Sequence, residues 1–407
     1  MCFTHGEMLD AEGNFYHANY RSAKAEVEYI CRAGKQTWHP HLTFFGFRYL
    51  KLLSWPGEAR PESFTAIVVH SNMKRTGWLE SGDPLLNQLF SNIVWGQRGN
   101  FLDVPTDCPQ RDERLGWTGD AQVFFETASY LFDYAAFSQK NLRDVYDWQK
   151  RDGRLPQIAP YGGVDFYMWT LNGSVGWSDI GILLPYRFWK KYGDRNTLTE
   201  YYDRMRKYAA FMIRRVSPDG VVRLGQSYGE WAEPEDVMPN VWTNTVLPHP
   251  EVSTAYTAYV LRCLDVLADI DIEAAYRLLE NEEMPGWLFM PKAGATTIWE
   301  SWEGTEAQGG IASFNHYSKG AVVEWLFKTM CGIRVDGKNH FTIAPRPGGR
   351  FTFAKASYDS VFGTVESAWK IEDGKTVYTL TIPANSSASV TISGREYELA
   401  SGTYALR

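Results

Sequence analysis

The sequence has 407 residues, a formal net charge of −7, 44% hydrophobic residues and 15% aromatics, among them 16 Trp and 23 Tyr. That length exceeds one typical domain and supplies apolar material for two or three cores. The acidic balance disfavours nucleic acid or an anionic membrane as partner, since both call for clustered Lys and Arg, and nowhere do about 18 apolar residues run together as a span would need. Cys2, Cys31, Cys108, Cys263 and Cys331 are odd in number and scattered, which suits neither a disulfide framework nor a zinc site, so reduced thiols are expected. The first 30 residues carry Glu7, Asp10 and Glu12 and lack the apolar run of a secretory signal. A cytoplasmic location is the expectation for the chain as given, with a periplasmic or secreted one open if the N-terminus is truncated. The aromatic excess fits either a cleft that stacks flat faces on sugar rings or an aromatic-rich core.

From Met1 to about residue 75 the text is strand-like. Val27, Tyr29 and Cys31 alternate with charged residues, and Leu42–Leu52 and Phe64–Val69 are short apolar runs between Gly and Pro, so part of a β-sandwich is expected. Asp83-Pro84 then predicts a helix start, a capping oxygen followed by a residue whose missing N–H costs nothing at the first position. Leu85, Leu86, Leu89, Phe90, Ile93 and Val94 recur at the spacing of an amphipathic helix. The same period predicts helices over Phe124–Phe132, Leu198–Met212, Tyr256–Leu267 and Ala321–Met330, joined by loops rich in Gly, Trp and Asp. A helical unit over 76–332 is therefore expected. After Gly332 the period returns to two: Val365, Ser367, Trp369 and Ile371 share a face, Asp373-Gly374 turns the chain, and Tyr378, Leu380 and Ile382 return, predicting a C-terminal β-sandwich over 333–407.

The densest polar stretch, Asn100–Gln122, places Asp103, Asp107, Asp112, Glu113 and Asp120 beside Arg111 and Arg114, with Pro105, Pro109, Gly116 and Gly119 bending the backbone and Trp117 among the charges. Residue chemistry leaves two readings open, an active site or a buried ion-pair network. A carboxylic acid that donates a proton near neutral pH needs its pKa raised by burial or by like charges. On a helix through 113–120, Glu113, Trp117 and Asp120 would share a face, though Gly116 and Gly119 weaken that helix. No HExxH, paired CxxC, EF-hand or Gly-rich phosphate loop is present, so neither metal nor cofactor is expected.

The run Asn92–Gln122, NIVWGQRGNFLDVPTDCPQRDERLGWTGDAQ, closely resembles the signature of family 78 glycoside hydrolases of the bacterial α-L-rhamnosidase type. The resemblance implies Glu113 as general acid, Asp107 and Asp120 as binders of rhamnose hydroxyls, and Arg111 and Trp117 in the same pocket. Gly294–Glu303, GATTIWESWE, resembles the segment that carries the general base, here Glu300; by itself that glutamate could equally lie on a helix surface. Phe314-Asn315-His316-Tyr317 follows, and the resemblance gives His316 a substrate-binding role that a core histidine would not have. Trp177 in GWSD and Trp231 in YGEW, with Asp179 and Glu230 beside them, resemble tryptophans that line the pocket, and each could instead be structural. The implied reaction is inverting hydrolysis of terminal α-L-rhamnose, with the two carboxyls about 6.5–9.5 Å apart and a water between.

The resemblance spans essentially the whole chain and implies an (α/α)6-type helical toroid between a partial N-terminal sandwich and a C-terminal sandwich. It departs at Asp269–Ile272, where the text runs straight into a segment that in the family lies several helices later, so either a stretch is omitted there or the toroid is incomplete. Exposed helix faces would favour association, and a homo-oligomer stays open. Two other readings are a catalytically inactive carbohydrate-binding protein and a toroid enzyme acting on another sugar, such as a deoxyhexosidase or a phosphorylase.

Overall fold

In the computed structural model, residues 1–163, 172–215, 272–305 and 310–407 are described. The predicted helix over Tyr256–Leu267, the Glu230-Trp231 pair, Cys263 and the junction at 269–271 lie outside them.

The N-terminal segment builds a small sheet. Strands β1 (Cys2–Gly6), β4 (Glu26–Glu28) and β5 (Tyr49–Ser54) pair antiparallel in the order β4-β1-β5, and β2 (Met8–Leu9) pairs β3 (Phe15–Tyr16). Two expectations fail here. Phe64–Val69 forms no strand, and Ile67, Val68 and Val69 stand more than half exposed. Of Val27, Tyr29 and Cys31, Val27 alone falls within a strand.

The first helix, α1 (Pro84–Asn100), begins as predicted, with the Asp83 carboxylate accepting from the N–H groups of Leu85 (2.8 Å) and Leu86 (3.2 Å). Its stripe of Leu86, Leu89, Ile93 and Val94 is buried, each side chain contributing about 1.5–3 kcal/mol relative to exposure. A tight pair, β7 (Phe101–Leu102) and β8 (Val104–Pro105), leads into the polar loop. Helices α2 (Thr118–Leu131), α3 (Ala135–Asp147), α4 (Ile180–Tyr192) and α5 (Asn196–Ile213) follow, then α6 (Ile272–Leu279) and α7 (Phe289–Lys292). Helix α2 starts six residues ahead of the predicted Phe124, because its first turn is polar and invisible to an apolar-period reading. Ala321–Met330 is helical but uneven: a 3-10 turn over Ser318–Ala321, α8 (Val322–Trp325), then a π turn over Leu326–Met330.

The expected C-terminal sandwich is one curled sheet. Strands β9 (Ile333–Val335), β10 (His340–Ile343), β11 (Phe353–Ser360), β12 (Gly363–Glu372), β13 (Lys375–Ile392) and β14 (Arg395–Leu406) are joined by β6 (Gly77–Ser81), which precedes the first helix and pairs β11. The curl arises in β13. Its first half pairs β12 antiparallel, its second half pairs β10 parallel, and the register against β14 shifts between Ile382 and Ser387. As predicted, Val365, Ser367 and Trp369 are buried with Tyr378, Leu380 and Ile382; Ile371 at the strand end is exposed. Helices and sheet share one hydrophobic core, and the Trp369 indole donates to the Met330 carbonyl (2.9 Å) to tie them. The described helices do not by themselves make up a complete ring of paired helices. Among the described residues no helix is long and apolar enough to cross a membrane.

Candidate active site

The polar loop folds back on itself because Asp107 and Leu115 bond twice: the Asp107 N–H donates to the Leu115 carbonyl (3.0 Å) and the Leu115 N–H to the Asp107 carboxylate (3.0 Å). That closure turns Asp107, Arg111 and Glu113 toward the segment around Glu300. The strip after Glu113 is held from the other side. The Ala159 N–H donates to the Gly116 carbonyl (2.9 Å), and a Cβ on Gly116 would stand 2.1 Å from the Ala159 oxygen, so only glycine permits the contact.

Glu300 is not on a helix surface. It is 4% exposed and lies on an irregular segment that runs antiparallel to 313–316: its N–H donates to Ser313 O (2.9 Å), and the His316 N–H donates to Ile298 O (2.7 Å). Its Oε2 accepts from the Ser313 N–H (2.7 Å) and from Arg111 Nη1 (2.9 Å). Burial pushes the Glu300 carboxyl up, but the Arg111 guanidinium, His316 and the Ser313 N–H outweigh it and hold the group down at about 2. It is a charged carboxylate throughout the neutral range.

Arg111, 1% exposed, joins the two glutamates. Its Nη1 grips Glu300 and its Nη2 grips Glu113 Oε2 at 2.6 Å, with Asp107 Oδ2 at 3.6 Å. Glu300 Oε1 (3.5 Å) and Glu113 Oε2 (2.6 Å) both approach the same nitrogen, Nη2, so the two carboxyls meet at one guanidinium. Glu113 Oε1 accepts from the Trp117 indole N–H (3.0 Å). The link expected of a helix through 113–120 is thus made by a loop, since α2 begins only at Thr118.

Asp120 sits in the first turn of α2, where the helix N-terminus favours an acidic group. It accepts from the Ser318 hydroxyl and lies 3.3 Å from His316 Nε2. Burial pushes the Asp120 carboxyl up, and burial with Glu113 alongside does the same to Asp107. Trp177 packs on the same turn: a Cβ on Gly119 would come 2.7 Å from its Nε1. Asp179 anchors the Trp177 turn, accepting from the Gly176 N–H (2.8 Å) and the Tyr208 hydroxyl (2.8 Å). Asp107, Arg111, Glu113, Trp117, Asp120, Trp177, Glu300 and His316 are thus gathered in linked contacts; Trp231 lies outside the described residues.

Several members carry no sequence signal. Arg21 Nη1 donates to Glu113 Oε2 (2.9 Å), and the Ser22 N–H donates to Asp112 Oδ2 (3.2 Å). Glu7 accepts from Asn19 Nδ2 (2.7 Å) and the Phe314 N–H (3.3 Å); burial pushes its carboxyl up to about 8 against those bonds and Arg111. Donor atoms of Asp107, Cys108 and Glu113 lie within 4.8 Å of one another, a grouping that could hold a metal ion, and the Arg111 guanidinium already supplies a cation to its two carboxyls.

The bacterial α-L-rhamnosidase six-hairpin glycosidase domain matches residues 74–272 and 264–330, in two stretches that cover more than half of the chain. The chain belongs to the bacterial α-L-rhamnosidase family. The concanavalin-like domain of bacterial α-L-rhamnosidases matches 1–70 and their C-terminal domain 334–406. An α-L-rhamnosidase of Streptomyces avermitilis is 33% identical over 95% of this chain and 45% of its own length. One of Formosa agariphila is 30% identical over 95% of this chain and 52% of its own. The chain thus spans about half the length of the curated rhamnosidases it matches. Among solved structures, the S. avermitilis α-L-rhamnosidase complexed with L-rhamnose superposes with a TM-score of 0.85 at 30% identity, covering 100% of this chain and 49% of that one. The Dictyoglumus thermophilum α-L-rhamnosidase shares the fold with a TM-score of 0.86 at 24% identity, covering 99% and 58%.

Proposed function

We propose that this chain hydrolyses terminal non-reducing α-L-rhamnosides with inversion at the anomeric carbon. The observation that supports the reading is Arg111, which bonds Glu300 189 residues away and ion-pairs with Glu113, so that two carboxyls meet at one guanidinium. Glu113, 17% exposed at its side chain, is the general acid: its proton passes to the glycosidic oxygen as the bond to the anomeric carbon breaks. Glu300 is the general base, taking a proton from the water whose oxygen bonds that carbon on the opposite face. Its depressed pKa keeps it in the ionised form that a base needs. Asp107, Asp120 and His316 take ring hydroxyls, Arg111 holds the two glutamates in register, and Trp117, Trp177 and Trp231 offer flat apolar faces to the deoxy sugar. The rhamnose in the S. avermitilis complex supports this substrate class, and no step calls for a metal or cofactor.

The test is turnover of an aryl α-L-rhamnoside, with proton NMR of the first-formed sugar. We expect the β anomer first, and a loss of about 10²–10⁴-fold in kcat for Glu113→Gln and for Glu300→Gln. Full activity in either variant removes that residue's role, and the α anomer removes inversion. Saturable rhamnoside binding without any product would instead make this a carbohydrate-binding protein.

A further inference from the structure

Three N–H-bearing groups face Glu113, and they divide unequally between its oxygens. Arg21 Nη1 donates to Oε2 (2.9 Å) and Arg111 Nη2 ion-pairs with the same oxygen at 2.6 Å, whereas Oε1 accepts from the Trp117 indole (3.0 Å). A guanidinium carries a fixed positive charge and N–H groups that donate without accepting. With two such cations at Oε2, a proton finds its place on Oε1, which has a lone pair left beside the indole.

Arg21 is not a stray surface contact. It ends a turn, Ala18–Tyr20, whose Asn19 and Tyr20 are buried and tied down, Asn19 to Glu7 and the Tyr20 hydroxyl to the Gly46 carbonyl (2.5 Å). Its own backbone sits at φ 55°, ψ −117°, a conformation that side-chain-bearing residues rarely adopt and that persists only where surrounding bonds enforce it. The next residue, Ser22, bonds Asp112 through both its N–H and its hydroxyl. Two successive residues of the N-terminal segment thus grip two successive residues of the acid loop.

We propose that Arg21 is a positioning residue for the acid step: by setting a second guanidinium against Glu113 Oε2, it confines the transferable proton to Oε1. This rests on the reading of Glu113 as general acid. Such a residue matters in proportion to how much the leaving group needs that proton.

The experiment compares wild type, Arg21→Gln, Arg21→Lys and Glu113→Gln on two substrates, methyl α-L-rhamnoside with a poor leaving group and 2,4-dinitrophenyl α-L-rhamnoside with a good one. For Arg21→Gln we expect kcat to fall at least about tenfold on the methyl glycoside and less than about threefold on the dinitrophenyl one, following the share of the barrier that proton donation carries. KM should stay near its wild-type value, and Arg21→Lys or added guanidinium ion should restore part of the loss. Equal losses of Arg21→Gln on both substrates, or none, overturn the proposal while Glu113→Gln still shows the leaving-group contrast. If Glu113→Gln itself shows no contrast, or the wild-type chain turns over neither substrate, the acid assignment falls and takes this inference with it.

Discussion

At the residue scale the charge balance of the site hangs on Arg111. A lysine could not replace it, because a single ammonium cannot span two carboxylates in the fixed fork of a guanidinium. Replacing Arg111 by Met takes from Glu300, 4% exposed, its ion-pair partner, and removing one partner of a buried pair costs about 3–5 kcal/mol. The pH dependence has a definite sign. Glu300 is held at about 2 in the folded chain against an ordinary 4.5, so its stabilisation is complete above about pH 4.5 and vanishes as pH falls through about 2. The unfolded chains titrate alike, so the stability gap between wild type and Arg111→Met, measured by urea unfolding, should be widest near neutrality and narrow as pH falls toward 2, once the variant's Glu300 takes up a proton. A gap independent of pH would mean that lost packing, not lost charge, sets it.

At the scale of elements, the site is organised by the start of α2, where a glycine acts through the side chain it lacks. The Trp177 indole occupies the place of a Gly119 Cβ, so Gly119→Ala must push the ring aside even as it raises helix propensity by about 1 kcal/mol. Crowding of this kind typically costs about 1–3 kcal/mol, and where it is relieved by moving Trp177 we expect rhamnose affinity to drop about tenfold or more in calorimetry, with KM rising more than kcat falls. Unchanged affinity would remove Trp177 from the pocket. This helix start also marks where sequence reading gives out. An apolar period announces α2 only at Phe124, since Thr118, Gly119 and Asp120 serve the site and not the core. Asp83-Pro84 was legible because a cap is a local bond. Asp107, Arg111, Glu113 and Asp120 were legible because they crowd into one loop of unusual chemistry. The run Phe64–Val69 misled because a short apolar run becomes a strand only where it also pairs and packs, which is not a local property of the sequence.

At the scale of the whole molecule, the N-terminal segment is part of the site, and no local pattern could have said so: Arg21 reaches Glu113 across 92 residues and Glu7 reaches Phe314 across 307. Glu7 offers the cleaner test of that long-range contact. Its carboxyl is buried between Asn19 and the irregular segment around Phe314, and burial lifts it to about 8 from an ordinary 4.5. Between those values the folded chain keeps a proton that the unfolded chain releases, so this group's contribution is present below about pH 4.5 and is lost as pH rises through about 8. The full loss is roughly 5 kcal/mol at 1.36 kcal/mol per unit. Glutamine keeps the oxygen that accepts from Asn19 and Phe314 and carries no ionisable proton, so Glu7→Gln should gain on wild type steadily from pH 5 to pH 8 and level off above. This window lies wholly above that of Glu300, so one series of unfolding curves separates the two groups, acid-side slope for one and alkaline-side slope for the other. Parallel curves for Glu7→Gln and wild type across pH 5–9 would mean that Glu7 is ionised in the folded chain, with Arg111 rather than burial setting its state.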